Sequence, residues 1–236
     1  EKLAAAAELG MTAVFLPELD RCFATPQNHP HHCCNVGEHI LRSVQAARPD
    51  RILRLTMLFH DIGKPLCHTR DEAGIDHFYG HAETGMEMTR QIMRRLKFDR
   101  DTIENVSRLV RWHDLKPEMT PRAMRRAIVK VGPDLFPLLL EVKAADLAAQ
   151  SSYMLEEKQA QLRQMEELYR EVRESLCALS LKDLSVSGRD LIAEGIAPGV
   201  QIGAILNAML EDVLDHPEHN TKEYLLSAYV RQQNNT

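Results

Sequence analysis

The sequence predicts an all-α protein, a helical bundle followed by a helical tail. Apolar residues recur at helical spacing along most of its 236 residues, and no window alternates β-branched with polar side chains. A hydrophobic content of 44% suffices to bury one sizeable core, or one core and a satellite unit. Residues 11–34 carry Pro17, Pro26 and Pro30 in a polar setting and read as an irregular lead-in ending near His31 and His32. Val36, Ile40, Val44 and Ala47 then make a stripe that stops before Pro49. The next helix is expected to start behind Asp50 as N-cap. It carries Leu55, Leu58, Phe59 and Ile62, and is ended by Gly63 and Pro65, with His60 and Asp61 in its last turn. Residues 66–77, with Asp71, Gly74 and Asp76, read as a loop, and Phe78 to Leu96 as a long amphipathic segment. Asp99 or Asp101 can cap a helix bearing Ile103, Val106, Leu109 and Val110 that runs into Trp112-His113-Asp114. Thr120-Pro121 opens another helix, with an N-cap oxygen followed by proline at the first helical position. Leu135, Leu138, Leu139, Val142, Ala145 and Ala149 line the next. Residues 153–179 read as one long helix, because Leu162, Met165, Tyr169, Val172, Leu176 and Leu179 alternate steps of three and four. That stripe suits packing on the chain's own bundle better than a coiled-coil dimer, being short of several heptads, and the oligomeric state stays open. From Ser180 the tail is punctuated at Gly188, Gly195, Pro198-Gly199, Gly203 and Pro217. The expected division is a lead-in over 1–35, a helical domain over 36–150, and a long helix with its tail over 151–236.

A formal net charge of −5 provides no global basic field for nucleic acid, so RNA binding has to rest on a local patch. Cys22, Cys33, Cys34, Cys67 and Cys177 are odd in number and show no C-x-x-C spacing, in a chain without a secretory signal. The expected setting is reduced and cytoplasmic. The longest uncharged stretch, Ile196 to Leu210, contains Pro198, two glycines, Gln201 and Asn207 and is too short to span a membrane. The chain opens on Glu1 rather than methionine, as expected of a segment of a longer gene product, and a further domain could precede it.

The chemistry-bearing residues start with His60 and Asp61 in the run Leu58-Phe59-His60-Asp61-Ile62-Gly63-Lys64. An adjacent His-Asp pair closing an apolar helix sets two metal-ligating side chains where packing alone asks for none. His39, His113 and Asp146 each fall on the apolar stripe of their own helix: His39 follows Val36 by three, His113 follows Val110 by three, and Asp146 follows Val142 by four. A carboxylate turned inward costs several kcal/mol unless a cation compensates it. A salt bridge to an arginine or to Lys143, or an N–H contact, would satisfy Asp146, and a lone inward histidine is commonly a hydrogen-bonded core residue. The joint occurrence with His81 and a following Gly-Lys favours a metal centre, although no two candidates share an i, i+4 face and their convergence has to be tertiary. Lys64 could neutralise charge developing on a phosphate, or simply favour a helix C-terminus. His68 and His77 suit solvated loop positions, with His77 also a candidate for touching substrate. His31, His32, Cys33 and Cys34 lack a second paired ligand set at zinc-finger spacing. Asp99-Arg100-Asp101 has no preceding Gly-Ser loop and reads as helix capping.

His39, His60-Asp61 and Asp146 resemble the H…HD…D signature of the HD superfamily of metal-dependent phosphohydrolases, an all-helical fold. His81 and His113 match the two extra histidines of members with a second metal. The resemblance implies one ion on His39, His60, Asp61 and Asp146, a second on His81 and His113, and Asp61 bridging them. Two such cations about 3.5–4 Å apart activate water and clamp the phosphate oxygens of an in-line displacement. The catalytic residues implied are Asp61 and Lys64, and the mixed imidazole and carboxylate set suits Mn, Fe, Co, Ni or Zn without choosing among these divalent ions. A wider resemblance rests on Leu16-Pro17-Glu18-Leu19, Pro26-Gln27-Asn28, Asn35-Val36-Gly37-Glu38-His39, His60-Asp61-Ile62-Gly63-Lys64, Asp76-His77-Phe78-Tyr79-Gly80-His81-Ala82-Glu83 and Ala145-Asp146. With Leu184-Ser185-Val186-Ser187-Gly188-Arg189-Asp190-Leu191, Pro198-Gly199 and Ile202-Gly203, these segments are similar to the C-terminal half of bacterial CCA-adding tRNA nucleotidyltransferases and related poly(A) polymerase-like proteins, from about residue 14 to 226. The nucleotide-adding head of that family is not among these residues, so CCA addition is not expected of this chain alone.

Two functions follow as expectations. The first is an HD-type metal-dependent phosphohydrolase acting on a nucleotide or RNA-end phosphate, as a phosphodiesterase or phosphatase. The second is a non-catalytic helical body and tail that positions tRNA for the absent head. The six-residue ligand set favours the first, since an architectural bundle gains nothing from burying it. The Gly/Pro-punctuated tail favours the second.

Overall fold

The computed structural model describes residues 2–31, 33–175 and 178–231, with the side chain of Arg231 left aside. His32 of the lead-in, and Leu176 and Cys177 at the end of the long apolar stripe, lie outside the described residues. The architecture is an all-α bundle. Its helices are α1 (Lys2–Glu8), α2 (Thr12–Phe15), α3 (Pro17–Phe23), α4 (Val36–Ala46), α5 (Arg51–Phe59), α6 (Lys64–Cys67), α7 (His81–Arg95), α8 (Arg100–Trp112), α9 (Pro121–Val131), α10 (Phe136–Ala149), α11 (Leu155–Glu174), α12 (Gly188–Ala193), α13 (Val200–Asp215) and α14 (Lys222–Leu226). Among the described residues no helix is long and apolar enough to cross a membrane.

Helix starts follow local chemistry. The side chains of Asn35, Asp50, Asp99 and Thr120 accept from the backbone N–H of Glu38, Leu53, Thr102 and Ala123, each satisfying one of the orphan donors of a first turn. Asp99 is therefore a cap, as its sequence context predicts. Prolines depart from the expected pattern. Pro17 and Pro65 sit at the opening turns of α3 and α6, where a missing N–H costs nothing, so much of the stretch read as irregular over 11–34 is helical through Phe23. For the same reason Pro65 starts α6 instead of stopping α5. That helix ends at Phe59, so His60 caps it and Asp61 lies in the turn beyond rather than in its last turn. The stretch read as a loop over 66–77 holds a small antiparallel hairpin, β1 (Thr69–Arg70) on β2 (Asp76–His77), pairing Thr69 with His77 and Arg70 with Asp76. The long helix read over 153–179 spans only Leu155–Glu174, and Ala178 and Leu179 are buried beyond its end in non-helical backbone. Its Met165, Leu168 and Val172 are buried within the single chain.

The chain forms two compact units. One comprises Glu1–Lys116 and Asp134–Arg163; the other comprises Pro117–Pro133 and Gln164–Thr236. In the first, the apolar faces of α3, α4, α5, α7 and α8 meet in a core of Leu16, Leu19, Val36, Ile40, Phe59, Ile62, Ile92, Met93, Val106 and Val110. A second cluster, Ala47, Leu53, Met57, Val142 and Ala145, fastens α10 to α4 and α5. Burying each large side chain contributes roughly 1.5–3 kcal/mol. The turn after α5 approaches α7 so closely that a Cβ on Gly63 would strike the His81 carbonyl and lie 2.6 Å from the Gly85 nitrogen. In the second unit, Arg125 Nε donates to the Leu214 carbonyl at 2.6 Å, and Arg122 and Arg126 converge on Asp215 at the end of α13. Asn220 accepts from Ser185 N at 2.8 Å and donates to the Asp183 carbonyl at 3.0 Å, and Ser187 and Asp190 close a capping box on α12.

Gly63→Ala should destabilise the first unit by about 1–3 kcal/mol, the usual range for an overpacked interior, read as a lowered thermal midpoint. Hydrogen bonds from Arg122 and Arg126 hold the Asp215 carboxyl down to about 2, from an ordinary 3.8. Its stabilisation is complete above about pH 4 and fades as pH falls toward 2, because the unfolded chain takes up the proton first. Melting curves over that range should show an acid limb that is weaker in Asp215→Asn.

Candidate metal centre

Four imidazoles reach one pocket of the first unit from separate elements. His39 projects from the buried face of α4, His60 from the end of α5, His81 from the first position of α7, and His113 from the end of α8. All are 9% exposed or less. Each has its Nδ1 aimed at a backbone carbonyl. His60 faces Met57 O at 2.7 Å, His81 Phe78 O at 2.8 Å, His113 Val110 O at 2.7 Å, and His39 Ala149 O at 3.4 Å. A carbonyl only accepts, so Nδ1 carries a proton in each ring and each Nε2 is turned to the interior, where that of His39 meets the Asp146 carboxylate at 2.8 Å. Those nitrogens meet in twos, His39 with His60 and His81 with His113, both at 3.2 Å. Two facing acceptors repel unless a proton or another cation lies between them.

Asp61 stands between the pairs. Its Oδ2 is 3.5 Å from His39 Nε2 and 3.4 Å from His60 Nε2, while its Oδ1 is 3.5 Å from His81 Nε2 and 3.7 Å from His113 Nε2. Asp146 completes the first pair with Oδ1 at 2.8 Å from His39 Nε2 and 3.6 Å from His60 Nε2. The potential ligand atoms therefore sort into two groups, His39, His60 and Asp146, and Asp61, His81 and His113, each with its atoms within 4.8 Å of one another. All six residues singled out in the sequence are brought together. Asp146 meets histidines instead of an arginine, and Lys143, weighed as its partner, donates to the His113 carbonyl at 2.8 Å.

Lys64 is buried and held twice, 2.7 Å from Asp61 Oδ2 and 2.7 Å from Gln27 Oε1. Its ammonium faces the carboxylate. His77 lies on the hairpin, bonded to Asp71 Oδ2 at 2.8 Å and stacked on Tyr79, and His68 pairs with Asp76 at 2.8 Å. Neither is among the residues that the pocket gathers. His31, Cys33 and Cys34 form no ligand group among the described residues; the Cys33 thiol accepts from Arg42 at 3.1 Å.

Sequence reasoning overlooked Asp114, whose Oδ2 is 3.3 Å from His81 Nε2 and whose Oδ1 is 3.8 Å from His113 Nε2. The signal was present: His113-Asp114 repeats the His60-Asp61 doublet. Gln27 and Gln150 also escaped notice. Gln27 stands in the Pro26-Gln27-Asn28 segment, to which the sequence assigns no role in the site, while Gln150, which donates to Asp146 Oδ2 at 3.0 Å, is marked by nothing in its local sequence.

The pocket demands positive charge. Burial opposes a charged His60, yet Asp61 and Asp146 outweigh it and push the imidazole up to about 10. Burial likewise works against an ionised Asp61, but His60 and Lys64 hold it well below the usual carboxylate range, and His39 with His60 does the same for Asp146. His113 is depressed, mainly by burial. Burial also pulls the Lys143 ammonium down to about 8. Two ionised carboxylates, Asp61 buried and Asp146 partly so, thus retain a proton on a neighbouring ring wherever no other cation serves them.

The family model described as "tRNA nucleotidyltransferase domain 2 putative" matches residues 69–229, a span that includes His81, His113 and Asp146 and starts beyond His60-Asp61. The CC-adding tRNA nucleotidyltransferase of Thermus thermophilus is 35% identical over 86% of this chain and 46% of its own length. The A-adding tRNA nucleotidyltransferase of Deinococcus radiodurans is 31% identical over 86% of this chain and 48% of its own length. A "Multifunctional CCA protein" of Azoarcus sp. is 33% identical over 59% of this chain and 36% of its own length. The chain therefore spans about half the length, or less, of these curated relatives. With more than half of its residues inside the family match, the chain belongs to the tRNA nucleotidyltransferase domain 2 family.

Proposed function

We propose that the first unit is an HD-type, metal-dependent phosphohydrolase acting on a nucleotide or RNA-end phosphate, carried on a body that docks tRNA. One observation carries the reading: four histidines, each with Nδ1 on a backbone carbonyl, turn their Nε2 atoms toward a carboxylate that has one oxygen near each pair. Ligand atoms bound 2.0–2.2 Å from one ion lie about 2.8–3.6 Å apart, and the spacing of 3.2 Å within each imidazole pair fits that requirement. His39, His60, Asp61 and Asp146 would hold one divalent ion; His81 and His113, with Asp61 shared, would hold a second. Imidazole with carboxylate suits Mn, Fe, Co, Ni or Zn. Such ions supply Lewis-acid charge to a phosphoryl group. The protein's own contribution is orientation. Backbone carbonyls fix the four rings, Lys64 keeps Asp61 ionised and aimed, and Gln27 keeps Lys64 in place. We assign substrate contact to the pocket lining and to the Lys64 charge, with His77 standing apart on the hairpin.

In this reading the HD portion lies within residues 36–150, apart from α9, which belongs with the second unit, and 151–236 hold the long helix and tail. The names of the relatives bring tRNA to this chain as a proposed partner, and the tail with its exposed Lys182 and Arg189 beside the Ser187–Asp190 capping box is the proposed docking surface. The other reading, a purely structural body that positions tRNA for a nucleotide-adding head, draws on the same names. It leaves the burial of Asp61 without a purpose.

Elemental analysis after reconstitution should find divalent metal in the wild-type chain and little in Asp61→Ala. Hydrolysis of 2′,3′-cyclic AMP should fall at least about a hundredfold in that variant. A wild-type chain that takes up no divalent ion would end the hydrolase reading. In anisotropy titrations, tRNA should bind with a salt-dependent affinity that weakens in a Lys182→Glu, Arg189→Glu double variant. The log–log salt slope should shrink by about one for each phosphate that is no longer neutralised. An unchanged slope would place the RNA-binding surface elsewhere.

A further inference from the structure

Helix α13 of the second unit ends on a turn crowded with metal-ligating side chains. Its C-cap is His216, and the turn that follows, Pro217–His219, is a short 3-10 helix, so His216, Glu218 and His219 stand on one stretch of constrained backbone. His216 N donates to the Asp212 carbonyl at 2.8 Å, His219 N to the His216 carbonyl at 2.9 Å, and Thr221 N to the His219 carbonyl at 2.7 Å. One potential ligand atom from each of His216, Glu218 and His219 lies within 4.8 Å of the other two. The rings of His216 and His219 stack 4.8 Å apart, and His219 rests in turn on Tyr224 of α14 at 4.0 Å.

The charges at this corner are unbalanced. A helix C-terminus is the negative end of the backbone dipole, yet Asp212 lies in the last turn of α13 and Glu218 follows just beyond it. Asp215, between them, is served by Arg122 and Arg126. Asp212 and Glu218 have no such cation: among the described residues their ion-pair partners are imidazoles, His219 Nδ1 at 2.9 Å from Asp212 Oδ1 and His216 Nδ1 at 3.6 Å from Glu218 Oε1. An imidazole, unlike a guanidinium, offers a lone pair as well as a charge. Asp212 accepts from His219 Nδ1, the arrangement that orients a metal-ligating ring and leaves its Nε2 to the ion. His216 and Glu218 are exposed, so their side chains can close on a common ion without disturbing packed neighbours.

We propose that His216, Glu218 and His219 form a separate site for one divalent transition ion, Zn(II) in type, with Asp212 as a positioning residue behind His219. Two imidazoles and a carboxylate suit zinc, whereas Mg(II) and Ca(II) call for oxygen ligands throughout. Three protein ligands leave the fourth position to water. The role is that of a brace. Asn220, next to His219, accepts from Ser185 N and donates to the Asp183 carbonyl, so an ion held at this turn fastens the end of α13, the start of α14 and the segment 183–185 at one point. The site is independent of the phosphohydrolase reading, since it shares no residue with the four-histidine centre.

Calorimetric titration of the full chain with Zn(II) in an Asp61→Ala background, where the four-histidine centre is expected to be bare, isolates this site. One ion should still bind. Adding His216→Ala or His219→Ala should weaken it at least tenfold, and Asp212→Asn about tenfold, the usual effect of losing the group behind a ligating ring. Mg(II) should not compete for it. In the wild-type chain, which does not depend on the folding of any variant, Zn(II) should shift the ring NMR signals of His216 and His219. Ring signals that stay still at saturating zinc, or zinc binding in the Asp61→Ala background that ignores both histidine substitutions, would each overturn the site. Loss of all zinc uptake with Asp61→Ala, together with unmoved His216 and His219 signals, would remove the brace and keep the metal centre of the first unit.

Discussion

The contact on which the first unit turns is the backbone approach of Gly63 to His81 and Gly85. Only a residue without a Cβ lets the turn after α5 settle against the first turn of α7. That approach brings the His60-Asp61 doublet, at the end of one helix, within reach of His81 at the start of another. From α8, His113 arrives through the apolar packing of Val106 and Val110, and from α4 and α10 His39 and Asp146 arrive through Val36, Ile40, Val142 and Ala145. Ordinary core packing thus carries the polar residues inward, and the glycine pair sets how near the two halves of the pocket come.

Once assembled, the pocket is expensive. A buried carboxylate beside a half-buried one lowers stability unless positive charge accompanies them, and the chain provides Lys64 and a proton on His60. Everything around these imidazoles and carboxylates serves that balance. Four carbonyls choose the ring tautomers, Gln150 steadies Asp146, and Gln27 steadies Lys64. A cation entering from solution would displace the His60 proton, since both answer the same pair of carboxylates. Metal affinity and proton uptake are thereby linked at this ring.

Much of this was legible in the sequence because the governing rules are local or periodic. Asp50, Asp99 and Thr120 announce their helix starts within three residues, and His39, His113 and Asp146 betray themselves by lying on apolar stripes. Proline was the weak point. Pro17 and Pro65 have the same covalent chemistry whether they break a helix or open one, and only the packing of the residues that follow decides. The small hairpin escaped because its two-residue strands are fixed by Asp76, which bonds Arg70, His68 and Asn28, rather than by any alternation of its own. Asp114 was missed although its doublet with His113 was in plain view, Gln27 lies in a segment of family resemblance but acts through a partner 37 positions away, and Gln150 acts on Asp146 with no pattern to flag it.

The segment Pro117–Pro133 clusters with Gln164–Thr236, while the residues on either side of it belong to the other unit. The polypeptide accordingly leaves the first unit, contributes α9 elsewhere, and returns to lay down α10 with Asp146. Neither unit is a continuous stretch that can be excised with one cut. A fragment stopping near Arg163 would strand the apolar side of α9, Met124, Ile128 and Val131, with nothing from the later helices to shield it, an invitation to clumping. Evolution can lengthen or trim the far end of such a protein, but to shed the tail altogether it has to rewrite the middle as well.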